Sequence, residues 1–103
     1  LELAKRYGAK WHLGSAHRWL AEVALNTSPD EAPSHFEQAI SIFDEIKAEN
    51  DLALAYSGMG RYHKHQGNTE KAMEYLTKAL EIFERLGTLI EPDKVHKELA
   101  SLS

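Results

Sequence analysis

The feature that most restricts this chain is its similarity to itself. Displaced by 40 positions, the segment from Ala32 to Ile46 falls on the segment from Ala72 to Leu86. Ala32 meets Ala72, Ala39 meets Ala79, and Ile42-Phe43 meets Ile82-Phe83. Phe36, Ile40 and Ile46 meet Leu76, Leu80 and Leu86, so every aligned apolar position keeps its character. The opening of the chain joins the scheme at a displacement of 39, with Leu13 on Leu52, Ala16 on Ala55 and Leu20-Ala21 on Met59-Gly60. Leu99-Ala100 returns to Met59-Gly60 at a displacement of 40. A period of about 40 residues means one supersecondary unit stacked on copies of itself.

Each unit reads as two helices. Ala16, Leu20, Val23 and Ala24 recur at helical spacing, as do Leu52, Ala55, Tyr56, Met59 and Tyr62 in the next unit. Gly67-Asn68-Thr69 ends that helix and caps the following one, whose Ala72, Leu76, Ala79, Leu80 and Phe83 stay in register until Gly87. Asn50 is the expected cap of the third helix, and Asp30 that of the second, because this choice leaves Pro33 in the first turn. Pro92 opens a short final helix through Val95, Leu99 and Leu102. The predicted helices are therefore 11–26 with 30–47, 51–66 with 69–86, and a last one from about 92. As domains, this is a single unit over 1–103: the end of a preceding helix at 1–8, repeat 1 at 11–47, repeat 2 at 51–87 and a terminal helix at 92–102. The expected core holds Leu20, Val23, Phe36, Ala39, Ile40, Phe43, Tyr56, Met59, Ala72, Leu76, Ala79, Leu80 and Phe83.

Composition removes several classes of function. The chain has 103 residues, room for one domain. A formal net charge of −4 gives no global positive field for nucleic acid or an anionic membrane. Without cysteine there are no disulfides, thiolate metal sites or thiol nucleophiles. No apolar run approaches the roughly 20 residues of a bilayer span, and no signal peptide opens the chain, so a cytoplasmic location is expected. The first residue is Leu1 rather than Met, which suggests a piece of a longer array.

Residues 53–86 resemble a tetratricopeptide repeat, of the longer-helix type found in bacterial signalling and regulatory proteins. Tyr56, Met59 and Gly60 stand where that family has its early aromatic, apolar and small residues, and Gly67 stands at its turn glycine. Ala72 and Ala79 match its two second-helix alanines, with Leu76 between them; Glu84 replaces the closing proline. The first unit follows more loosely, with His17 in the aromatic slot, Ala21 in the small slot and Ala32 and Ala39 in the alanine slots. The resemblance implies an all-α, right-handed α-solenoid of antiparallel helix pairs, a superhelix whose concave groove, lined by first helices, binds protein segments.

No catalytic pattern competes with that reading. His63 and His65 lie two apart and His12 and His17 five apart, spacings that serve joint metal ligation poorly, so the six histidines read as structural or surface residues. Asp44, Glu45, Lys47 and Glu49, like Glu70, Lys71 and Glu74, alternate in sign as a solvated helix face does. No phosphate-binding glycine loop or serine elbow is present; Gly58-Met59-Gly60 falls within a helix, where a packing reason for the glycines is expected. Neither an enzyme, a cofactor nor a metal is expected.

Carried onto this chain, the groove positions of the resembled family are Arg18, Trp19 and Glu22, with Ser15 and Asn26, from the first unit. The second unit supplies Leu54, Ser57, Arg61, Lys64 and His65, and the terminal helix Lys94, Lys97 and Glu98. These are mostly cationic or polar, whereas Glu31, Glu37, Asp44, Glu45, Glu70, Glu74, Glu81 and Glu84 gather on the second helices. A basic stripe with an aromatic anchor suits an acidic peptide or a neighbouring domain. The carboxylate clamp of chaperone-binding relatives is not kept, because its five positions hold Arg18, Glu22, Gly58, Lys94 and Glu98. The expected function is protein–protein interaction in a larger signalling or scaffold protein, without nucleic acid or membrane. The competing reading is a structural module that forms homo-oligomers through open ends of the stack, using Leu1, Leu3, Leu99 and Leu102. A helical-bundle enzyme using the histidines is disfavoured by their spacing.

Overall fold

Local chemistry sets the helix ends. The Asn68 side chain accepts a hydrogen bond from the Lys71 amide at 3.2 Å, capping the helix that follows. Gly67 and Gly87 adopt φ of 78° and 74°, the left-handed conformation that terminates a helix most easily at glycine. In the computed structural model, which describes residues 2–87 together with residues 99, 100 and 102, four helices result. They are α1 (Glu2–Thr27), α2 (Ala32–Glu45), α3 (Glu49–His65) and α4 (Thr69–Leu86), with a 3-10 turn at Pro29–Glu31 between the first two. No strand occurs among the described residues. Each helix packs chiefly on its neighbour in sequence: α1 on α2, α2 on α3, α3 on α4. The fold is an all-α helical repeat.

The repeat is visible in how small residues seat large ones. A Cβ placed on Gly60 would lie 2.6 Å from Leu76 Cγ and 3.3 Å from the Ala72 carbonyl oxygen, so α3 and α4 close on each other there. In the first unit Ala21, Ala32 and Phe36, all fully buried, occupy the equivalent places. Two further glycines seat rings: Gly14 lies against Phe43, and Gly58 against Phe36. The buried side chains form two clusters. One centres on Phe43, Leu52, Leu76 and Phe83; the other on Ala21, Ala32, Phe36 and Met59. Ile40, Tyr56 and Leu80 pack half-buried against the first cluster, as do Leu99 and Leu102. Those last two leucines thus pack in part on this chain's own core.

The two units also share an ion pair with its charges exchanged. Lys10 near the start of the first hairpin pairs with Glu45 near its end, and Glu49 pairs with Arg85 at the corresponding places of the second. These are surface pairs, each contributing about 0–1 kcal/mol.

Four expectations need correction. The helix predicted from residue 11 is continuous from Glu2, so no separate element ends at residue 8. The only candidate breaker there is Gly8, and a single helical glycine costs about 1 kcal/mol, less than leaving two helix ends unsatisfied. Second, Leu20 and Val23 are 47% and 42% exposed. α1 turns Gly14, Ala21 and Ala24 inward instead, and among the described residues no helix lies upon its Leu20 side. Third, neither Asp30 nor Asn50 caps a helix. The 3-10 turn carries the chain into α2 with Glu31 at the cap position and Pro33 harmlessly in the first turn. The third helix begins at Glu49 after Ala48, with Glu49 and Asp51 placing negative charge in its first turn. Finally, Lys47 sits at φ 60° after α2, at the repeat position where the second unit has Gly87. The predicted helix from about residue 92 lies mostly outside the described residues.

Candidate functional site

The face shared by α1 and α3 is joined by two side-chain bridges. Trp11 donates its indole N–H to Asp51 Oδ2 at 2.9 Å, and both residues are partly buried. About three turns along, Arg61 Nη2 donates to Glu22 Oε1 at 2.6 Å. Glu22 also stands beside Gly58, 3.2 Å from where a Cβ would be, so absence of a side chain there lets the carboxylate approach α3. Repeat stacking explains both bridges: the partners lie 40 and 39 residues apart, one period in each case.

The predicted groove residues differ in exposure. Ser15, Arg18, Glu22, Leu54, Ser57, Arg61 and Lys64 are half-buried, and His65 and Asn26 are exposed. Trp19 is 68% exposed, the most open of the large apolar side chains among the described residues. Arg18 Nε is shielded from solvent and has no hydrogen-bond partner among the described residues. The Arg61 charge, by contrast, is already matched by Glu22. Pairing reduces the basic character expected of the groove. Lys94 and Lys97, with Glu98, lie outside the described residues.

Three contacts were not foreseen from sequence. The Trp11–Asp51 bridge is one. In the second, His17 and His35 meet across α1 and α2 with their Nδ1 atoms 3.1 Å apart and rings stacked at 5.3 Å. The third is an aromatic cluster on α3 and α4: His63 stacks on Tyr75 at 5.5 Å, and the Lys78 ammonium lies over Tyr56 and Tyr75 at 5.6 and 5.5 Å. Burial, with the Lys71 charge adding to it against an opposing Glu74, holds the His63 pKa below its usual 6.5. Burial, followed by repulsion from Asp44, raises that of Tyr56. Helical spacing alone found none of these, because each joins residues from two helices. Among the described residues no group of three or more His, Asp or Glu is placed to hold a metal ion. None of their helices is long and apolar enough to cross a membrane.

Paired helices with small residues at their contacts, repeated at one period, define a helical-repeat protein. Residues 12–85 match the family model described as tetratricopeptide repeat, and the chain belongs to that family. It is also similar to tetratricopeptide repeat protein 29 of Trypanosoma brucei brucei (strain 927/4 GUTat10.1), 27% identical over 86 residues. That match covers 84% of this chain but 18% of the trypanosome protein. No solved structure matches at comparable significance. Tetratricopeptide repeats in general mediate protein–protein interaction and are not themselves catalytic.

Proposed function

We propose that this chain is a protein–protein interaction module that holds a peptide or a neighbouring domain along the face shared by α1 and α3. The observation that supports it best is Trp19. An indole left 68% exposed costs solubility unless something covers it, and rigid aromatics beside polar groups are what interface hot spots favour. Arg18, its neighbour in the chain, and the exposed His65 on α3 add donors to an otherwise acidic molecule, so the preferred partner is an acidic protein segment. Catalysis, a cofactor, nucleic acid and membrane have no part in this reading. The wider proposal is a fragment of a right-handed solenoid whose concave side is this face, within a cytoplasmic signalling or scaffold protein, bacterial by its repeat type.

Selection of a random phage-displayed peptide library on the immobilised chain tests it. Acidic peptides should be enriched, and Trp19→Ala or Arg18→Ala should reduce their recovery at least tenfold while far-UV circular dichroism stays unchanged. Enrichment that survives both substitutions would move the site elsewhere. A second reading, self-association, is favoured by the uncovered apolar side of α1.

A further inference from the structure

In the second unit a pair of tyrosine rings joins the two helices. Tyr56 of α3 and Tyr75 of α4 have centroids 6.1 Å apart, His63 stacks on Tyr75, and the Lys78 ammonium lies over both tyrosines. One period earlier the places of Tyr56, Tyr75, His63 and Lys78 hold His17, His35, Ala24 and Gln38. The ring pair is kept, now as two imidazoles with centroids 5.3 Å apart. The third ring becomes a methyl group, and the ammonium becomes a neutral amide. Packing accounts for rings at these two positions but not for nitrogen in them. Here the nitrogens meet, with the two Nδ1 atoms 3.1 Å apart. Both histidines are half-buried. So are Tyr56 and Tyr75, although a whole unit stands before them, so a unit stacked ahead of the first would leave the imidazoles within reach.

We propose that His17 and His35 form a two-imidazole site for a divalent first-row metal ion that prefers nitrogen ligands, such as Zn²⁺ or Ni²⁺, and that the ion ties α1 to α2. The separation fits. An ion about 2.0–2.1 Å from each nitrogen would hold the 3.1 Å pair at an angle of about 100°, between a right angle and the tetrahedral value of about 109°. The ligand state is also at hand. In the metal-free pair one Nδ1 donates to the other, so one imidazole carries its hydrogen on Nδ1. Moving that hydrogen to Nε2 of the same ring frees both Nδ1 lone pairs without net loss of a proton. Among the described residues no third histidine or carboxylate joins the two, so water or an exchangeable ligand completes the coordination and the ion is held reversibly. With glutamine at the place of Lys78, no ammonium from that position repels the ion, and a net charge of −4 favours a cation. Spacing along one helix did not show the site, because its ligands are 18 residues apart on two helices. It lies at the α1–α2 contact and does not depend on the α1–α3 face binding a partner.

Isothermal titration of the metal-free chain with zinc chloride, and separately with nickel chloride, tests the site. Saturable uptake of one ion per chain is expected, and none of Mg²⁺, which takes oxygen ligands. His17→Gln and His35→Gln should each weaken Zn²⁺ binding at least tenfold, whereas His12→Gln, at an exposed histidine of α1, should leave it unchanged. His17→Tyr combined with His35→Tyr gives the first unit the ring pair that the second already has. That chain should keep its far-UV circular dichroism and lose the ion. An ion that binds only the folded pair stabilises it, so saturating Zn²⁺ should raise the urea midpoint of the parent chain and not that of the doubly substituted one. In long-range proton–nitrogen spectra Zn²⁺ should move the Nδ1 resonances of His17 and His35 before those of the other histidines. Absence of saturable uptake, uptake undiminished by His17→Tyr with His35→Tyr, or resonance shifts confined to the other histidines would each overturn the proposal.

Discussion

Replacing glycine by alanine inside a helix is ordinarily stabilising, and in this chain the same change should act with opposite sign at two places. Gly8 and Gly58 both lie within helices, and alanine at either gains about 1 kcal/mol of helix propensity. At Gly8 a new Cβ meets nothing within 4 Å, so that gain stands. At Gly58 the Cβ falls 2.3 and 2.4 Å from two ring carbons of Phe36, whose side chain is fully buried, and 3.2 Å from Glu22 Oε1. The ring has no solvent to swing into. Its displacement belongs at the upper end of the overpacking range, about 3 kcal/mol, leaving a net loss of about 2 kcal/mol. Urea unfolding followed by far-UV circular dichroism, at one fixed protein concentration, measures both. Phe36→Leu added to Gly58→Ala should recover part of the loss, whereas at Gly8 it should add independently. If Gly58→Ala proves as stable as Gly8→Ala, α3 does not press on Phe36 as described, and the packing of α2 against α3 is wrong.

Three further outcomes follow from single contacts. Lys47→Gly should raise stability by about 1 kcal/mol in the same urea assay, since it relieves a left-handed residue at the position where the other unit already has glycine. Asp51→Ala should lower it by about 1–2 kcal/mol by leaving the part-buried Trp11 indole N–H without its acceptor. His63 gives a pH dependence. Its pKa is lower folded than unfolded, so the unfolded chain takes up the proton first as pH falls. His63 therefore costs no stability above about pH 6.5, and its contribution declines below that value until the folded state is protonated too. The urea midpoint should fall less steeply between pH 7 and pH 5 in His63→Gln than in the parent chain.

What could be read from sequence depended on whether the cause was local. The period, the glycine stops, the Asn68 cap and the bounds of α4 are decided by residues within a turn of one another, and they appear as expected. Phe36, Phe43, Leu76 and Phe83 were legible as core because each recurs at one period in an apolar slot. Leu20 and Val23 satisfy the same pattern and are exposed, because periodicity marks a face able to pack without showing whether anything packs on it. α1 was broken too early because the repeat pattern places the end of a second helix and a turn ahead of each first helix, and the pattern alone does not show that the turn is missing here. Trp19 was expected on an open face through the resemblance alone, since its counterpart one period later, Gly58, is buried against Phe36. Neutralisation of Arg61 by Glu22, the Trp11–Asp51 bridge and the His17–His35 contact were not, since each requires knowing which side of one helix meets another.

The proposal that the α1–α3 face is the binding site is tested most directly by amide chemical-shift mapping of the isotope-labelled chain against an acidic peptide recovered in the selection. Perturbations should concentrate on Ser15, Arg18, Trp19 and Glu22 of α1 and on Leu54, Ser57 and Arg61 of α3, with the Trp19 indole N–H moving most. Perturbations gathered on the acidic second helices, around Glu37 and Glu74 or Glu81, would contradict it.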